Sequence, residues 1–179
     1  ARRLEFLAAH RKAIVPASMP AREPLRYKAR DGLEIPAYLT LPPGREAKSL
    51  PLVLYVHGGP WVRGAWWRWS AAPAWLAAQG YAVLEPEFRG STGWGARHFS
   101  RGWRQWGRAM QDDLLDGIDH LAARGVVDPG RVCIMGASYG GYAALMGLAR
   151  DPGRDRCGVN VAGVVDLHML FDIAWSDLT

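Results

Sequence analysis

Hydrophobic and polar positions follow two regimes along this chain. Residues 1–15 (ARRLEFLAAHRKAIV) form a basic, helix-prone stretch, and Pro16, Pro20 and Pro24 then mark an extended connection. Residues 25–30 alternate, Asp31-Gly32 carries tight-turn chemistry, and 33–41 resumes extended character. That order predicts an antiparallel hairpin, followed by a polar loop over 42–50.

From residue 52 the pattern becomes strand and helix in alternation. Residues 52–56 are a short, wholly apolar run leading into His57-Gly58-Gly59-Pro60. A helix is predicted over 70–79 with Gly80 as its stop, then a strand over 81–85 and a glycine-rich loop over 89–95. Residues 109–124 give the clearest amphipathic helix: Met110, Leu114, Leu115, Ile118 and Leu121 fall on one stripe, and Gly125 ends it. A strand over 131–135, a helix over 139–149 and a strand over 158–162 follow. Repeated strand–helix units with nearly continuous apolar strands imply a mostly parallel sheet covered on both faces.

Composition narrows the classes. The chain has 179 residues, 49% of them hydrophobic and 22% charged, as in a soluble globular domain. No run reaches the ~20 apolar residues of a membrane-spanning helix, and no membrane partner is expected. The net charge of +5 is carried almost wholly by arginines scattered through the sequence, with lysine only at 12, 28 and 48. A scattered pattern of this kind does not form a nucleic-acid footprint. Cys133 and Cys157 both lie in apolar, strand-like sequence and read as buried thiols; a bridge requires their strands to be neighbours, which the sequence does not decide. With no signal-peptide pattern, the expectation is a soluble protein of the cytoplasm rather than the periplasm, and the redox compartment stays open.

The chemistry concentrates at Gly136-Ala137-Ser138-Tyr139-Gly140. An apolar strand (RVCIM) runs straight into it and a helix (YGGYAALMGLA) leaves it. A nucleophile elbow has this arrangement, with serine on a strained turn between strand and helix and small neighbours relieving the crowding. Ser138 is the candidate nucleophile of a serine hydrolase with the α/β-hydrolase fold. The Tyr139 amide, at the amino end of the following helix, is a natural oxyanion donor. The second donor should come from a loop after an earlier strand; Gly59 is favoured, with Gly58 the near alternative. His57, at a strand end, reads as a structural group bonding the loop. No metal or organic cofactor is implied, since metalloprotease and phosphate-loop spacings are absent.

HGGP at 57–60, PEFRGSTGWG at 86–95 and GASYGGY at 136–142 together resemble the catalytic domain of the prolyl oligopeptidase family of serine peptidases, in its acylaminoacyl-peptidase and dipeptidyl-peptidase-like branches. The resemblance runs from about residue 25 onward. It implies an N-terminal portion of an α/β-hydrolase catalytic domain over 25–179, with 1–24 as a helical connection from a preceding β-propeller. It further implies peptide substrates and an acyl-enzyme on Ser138, with Gly59 and Tyr139 as the oxyanion pair. Arg89, Gly90, Gly93 and Gly95 match a supporting loop. Asp112 and Asp113 match an acidic helical pair, which by itself would read as solvated surface.

A triad also needs a base and an acid, in chain order Ser, Asp or Glu, His. Only 41 residues follow Ser138, and each further βαβ step takes about 30. Asp166 therefore reads as a loop or capping residue and His168 as a loop or helix-start histidine. The acid and base are expected beyond Thr179, or from another chain of the same assembly, which leaves a homo-oligomer open. The tryptophan-rich stretch 61–69 (WVRGAWWRW) reads equally as pocket wall, with Trp61 and Arg63 as substrate contacts, or as a surface meeting another domain. Alternative functions are a carboxylesterase, or a non-catalytic binding module that kept the fold.

Overall fold

A computed structural model describes residues 19–172. The hairpin is formed by β1 (Ala21–Lys28) and β2 (Glu34–Leu41), antiparallel with Ala21 opposite Leu41 and Lys28 opposite Glu34. Gly32 turns the corner at φ 82°, in the left-handed region that a Cβ disfavours. The strand begins at Ala21, inside the stretch expected to be connection. Pro24 does not prevent this because β1 lies at the edge of the sheet, where a missing N–H costs no ladder bond.

The remaining strands are β3 (Leu50–Val56), β4 (Ala82–Pro86), β5 (Val127–Ala137) and β6 (Cys157–Val161). The order across the sheet is β1-β2-β4-β3-β5-β6. β4, β3, β5 and β6 run parallel, and β2 joins β4 antiparallel. This is the α/β-hydrolase fold with an antiparallel pair at its amino-terminal edge. The helices are α1 (Ala71–Ala78), α2 (Ala96–Ser100), α3 (Ala109–Ala123), α4 (Tyr139–Arg150) and α5 (Leu167–Asp172). The short α2, in the loop after β4, has no counterpart in the sequence pattern.

Alternation along the strands separates two faces. Leu52, Leu54 and Val56 of β3 and Ala82 and Leu84 of β4 join one core with Met110, Leu114, Ile118 and Leu121 of α3 and Ala143 and Ala144 of α4. Val53 and Val83, equally buried, point to the other face, where α1 contributes Ala77. The stripe predicted on 109–124 is thus the face that α3 lays on the sheet.

Cys133 and Cys157 sit opposite each other in the β5–β6 register and are disulfide-bonded, with Cα atoms 4.7 Å apart. The reading of two buried free thiols is corrected: parallel neighbouring strands bring the residues together. Among the described residues no helix is long and apolar enough to cross a membrane. The helical connection expected over residues 1–15 lies outside the described residues.

Candidate active site

β5 delivers the chain to Ser138, and α4 carries it away. Ser138 has φ 55° and ψ −120°, a conformation that side-chain-bearing residues adopt only under strain. Two backbone bonds hold it there. Its N–H donates to Val161 O at 3.0 Å, and its carbonyl accepts the Tyr142 N–H at 3.1 Å. The residue is exposed, and its hydroxyl does not cap the helix.

The space around this corner is taken by backbone. A Cβ on Gly136 would fall 2.5 Å from Val56 O, and one on Gly140 only 2.1 Å from the same oxygen. One on Gly141 would lie 2.2 Å from Asn160 Oδ1. The glycines of the motif therefore let the elbow press against the end of β3. Gly58 closes the contact from the other side, its Cα so placed that a Cβ would lie 3.4 Å from Ser138 Cβ. The structure thus brings the His57–Pro60 loop and the elbow together, as their places after adjacent parallel strands require.

Tyr139 is the first residue of α4, so its N–H has no partner within the helix. Its side chain packs beneath the corner, against Phe88 at 5.3 Å and Trp106 at 4.6 Å between ring centroids. Burial raises the phenol's pKa far above its ordinary value, and the hydroxyl has no hydrogen-bond partner among the described residues. Gly59, the other expected donor, has φ 117°.

His57 is built into the loop. Its ring stacks on Phe88, with centroids 4.4 Å apart and planes 13° apart. Nδ1 lies 2.7 Å from Gly58 O and Nε2 3.0 Å from Ser91 Oγ. Burial pushes its pKa down, Glu87 and the Gly58 carbonyl opposing, so the ring is neutral at neutral pH.

Sequence reasoning missed Glu87. Fully buried at the end of β4, its carboxylate accepts N–H bonds from Gly64 (3.3 Å), Ala65 and the Trp94 indole (3.0 Å). It pins the tryptophan-rich loop to the sheet. The signal available was a carboxylate directly after an apolar strand, between Pro86 and Phe88. On that loop Trp61 is half exposed and stands 6.4 Å from Trp106. The Arg63 guanidinium lies between the Trp66 and Trp94 rings, at 4.4 and 4.7 Å from their centroids. Trp66, Trp67 and Trp69 are each half exposed or more.

Arg89 ties the site to the rest of the fold. Its side chain forks onto Asp113 (Nε to Oδ2 2.9 Å, Nη2 to Oδ1 2.7 Å) and reaches Asp31 in the hairpin turn (Nη1 to Oδ2 2.8 Å). Its backbone N–H also donates to Asp113 at 2.9 Å. Burial pushes the Asp113 carboxyl up to about 6 against the pull of Arg89, which leaves the pair charged at pH 7. The same arginine holds Asp31 down at about 2. Asp113 is therefore not solvated surface. Asp112 is the outward member of the pair, meeting Arg150 at 2.8 Å.

Asp166 Oδ1 accepts the amides of His168 (2.8 Å) and Met169 (3.2 Å) at the start of α5, the capping role expected of it. His168 is exposed in the first turn of α5. Among the described residues no side chain hydrogen-bonds Ser138 Oγ.

Comparison with known proteins places this geometry. The profile of the prolyl oligopeptidase family matches residues 67–178. Dipeptidyl aminopeptidase BIII of Pseudoxanthomonas mexicana is 42% identical over 154 residues, covering 82% of this chain and 22% of that protein. Dipeptidyl peptidase family member 6 of Caenorhabditis elegans is 36% identical over 165 residues, covering 80% and 22%. Among solved structures, a puromycin-hydrolyzing peptidase of Mycobacterium tuberculosis superposes with a TM-score of 0.83 at 25% identity, over 90% of this chain and 25% of that one. The acylaminoacyl peptidase of Pyrococcus horikoshii superposes with a TM-score of 0.73 at 26% identity, over 82% and 24%. The chain thus spans under a quarter of the length of these curated relatives.

Proposed function

This chain belongs to the prolyl oligopeptidase family of peptidases, and from that premise we propose that it carries the nucleophile and oxyanion hole of a serine peptidase. The observation that carries the reading is Ser138, exposed and held at φ 55° where β5 turns into α4, with the Gly58–Gly59 loop against it. Ser138 Oγ attacks the scissile carbonyl carbon. The amides of Gly59 and Tyr139 receive the oxygen as it becomes an anion, Tyr139 with the added pull of the α4 dipole. The C–N bond breaks to leave an acyl-enzyme on Ser138, and water releases the acid. Proton transfer needs a histidine oriented by an acid, and we assign both to residues outside those described, since none of these bonds Ser138 Oγ.

Trp61, half exposed beside the oxyanion loop, is the better supported of the two expected substrate contacts. Arg63 has less support, because its guanidinium already lies between two indoles. The names of the relatives make release of dipeptides the first activity to test.

The test is made on the intact protein. A fluorophosphonate should label Ser138, and Ser138→Ala should lower hydrolysis of a dipeptidyl anilide about a thousandfold or more. Cleavage of a p-nitrophenyl ester without the anilide would replace the peptidase reading by an esterase one. An unlabelled Ser138 would leave a non-catalytic module.

A further inference from the structure

Glu87 is a buried charge that the reaction does not use. Its main chain is fixed on both sides: its N–H donates to Pro36 O at 2.8 Å, and its carbonyl accepts from His98 Nε2 at 2.9 Å. Among the described residues its carboxylate is bonded only by N–H groups of loops. Oε1 accepts the Ala65 amide, and Oε2 accepts the Gly64 amide at 3.3 Å and the Trp94 indole at 3.0 Å. A carboxylate shut away from water is costly unless hydrogen bonds replace its hydration. Moving either loop away from Glu87 would strip a buried charge of its partners.

The loop over residues 61–66 hangs on this point twice. Gly64 and Ala65 bond to the carboxylate directly. Arg63 is tied to it through Trp94, whose ring centroid lies 4.7 Å from the guanidinium while its N–H goes to Glu87. An indole that gives its N–H to a carboxylate carries more negative charge on its face, and so holds a cation better.

Trp61 begins this loop. Its indole is half exposed and meets the fold on one side, at Trp106, 6.4 Å between ring centroids, and at Gly90, where a Cβ would lie 4.0 Å from Trp61 Cδ1. Trp106 packs on Tyr139, the neighbour of Ser138, at 4.6 Å. A side chain supported on one side takes its place largely from its main chain, and that main chain runs directly into the amides held by Glu87.

We propose that Glu87 is a positioning residue for the substrate: its carboxylate locks the 61–66 loop and so holds the Trp61 indole as a wall that selects a large apolar side chain. The proposal rests on the Trp61 contact proposed above, and the two can fail separately. Glu87 touches no substrate and moves no proton.

The experiment compares Glu87→Gln, Trp61→Ala and the double variant in the intact protein. Each oxygen of Glu87 has at least one N–H on it, so whichever becomes the amide nitrogen of glutamine faces a donor. With a dipeptidyl anilide, E87Q should raise KM about tenfold and change kcat less than about threefold, the signature of lost binding shared by ground and transition states. Fluorophosphonate labelling of Ser138 should keep its rate, since so small a probe does not need the wall. W61A should raise KM as well, and the double variant should be no worse than W61A alone within about threefold, because both changes remove one contact. Anilides carrying phenylalanine or glycine at each position in turn show where W61A loses the preference for the ring; E87Q should lose it at the same position.

An unchanged KM in E87Q, a kcat that falls as far as kcat/KM, effects that multiply in the double variant, or a preference lost at another position each overturn the proposal. A merely structural carboxylate would lower kcat and labelling together. W61A with wild-type KM removes the Trp61 contact and the proposal with it, whereas a raised KM in W61A beside an unaffected E87Q overturns the role of Glu87 alone. If E87Q does not fold, Trp94→Phe supplies the test, since it takes one of the three donors and keeps a ring beside Arg63. It should raise KM about threefold with kcat unchanged, and an unchanged KM overturns the proposal.

Discussion

Asp155 is a carboxylate in the wrong surroundings, and relieving it should stabilise the protein in a pH-dependent way. It precedes β6 and is buried, and neither of its oxygens has a hydrogen-bond partner among the described residues. Gly147 of α4, Gln111 of α3 and Ile134 of β5 lie around it. A Cβ on Gly147 would fall 3.2 Å from both Asp155 Oδ2 and Gln111 Nε2, and 3.4 Å from Ile134 Cδ1. Burial pushes the carboxyl up to about 6; Arg154 pulls it down and Asp151 pushes it up, both weakly by comparison. The folded state thus holds this proton more tightly than the unfolded chain, whose carboxylate has its ordinary pKa near 3.9. Above about pH 6 the group costs stability in full, and the cost fades as the pH falls towards 4. A carboxyl raised this far above its ordinary value costs about 3 kcal/mol when ionised. Solvent screening near the surface reduces this, and we take about 1.5 kcal/mol. Asp155→Asn keeps the shape and removes the charge. At pH 8 it should raise the midpoint of thermal unfolding by about 3–6 °C, and at pH 4.5 by about a third of that. The measurement is a pair of melting curves, wild type and variant, at each pH. A gain of equal size at both pH values, or a loss at pH 8, would refute the reasoning, because neither can arise from a buried charge.

Two further outcomes follow from the packing. Gly140→Ala should cost about 3 kcal/mol and slow fluorophosphonate labelling of Ser138, since the added methyl must displace the Val56 carbonyl; wild-type labelling and stability would show that the elbow has room to spare. Asp113→Ala leaves the Arg89 guanidinium buried with Asp31 as its remaining partner, and should lower unfolding stability by about 3–5 kcal/mol. In a urea titration the double variant Arg89→Met/Asp113→Leu should recover much of that loss, and a double variant no better than the single one would count against the buried charge as its cause.

What the sequence showed and what it concealed divide along one physical line. Periodicity and turn chemistry act within a few residues. The apolar run at 52–56, the stripe of α3 and the glycine-flanked serine were therefore legible, each a local pattern with a local cause. Arg89 and Asp113 were singled out by resemblance, but their bond, and that of Arg89 to Asp31, joins segments 24 and 58 residues apart. No window along the chain contains it. The cysteine pair belongs to the same class, because its meeting depends on β6 adding beside β5 in one register and no other. Pro24 misled in the opposite direction. Its local meaning is a break, and only the edge position of β1 cancels that.

One long-range feature of the site was nonetheless implicit in the order of the elements. Strands β3, β4 and β5 are parallel and adjacent in the order β4-β3-β5, so their carboxyl ends lie on one rim and the loops leaving them are neighbours. The HGGP loop follows β3, the Phe88–Gly95 loop follows β4, and the elbow follows β5. Three glycine-rich segments spread over about 80 residues of sequence must then meet. The contacts of His57 with Phe88, of His57 Nε2 with Ser91 and of Gly58 with Ser138 are the form that meeting takes. Gly58, Gly136 and Gly140 stand where a Cβ would press on the converging backbone, whereas Gly90, Gly93 and Gly95 of the loop after β4 supply positive φ.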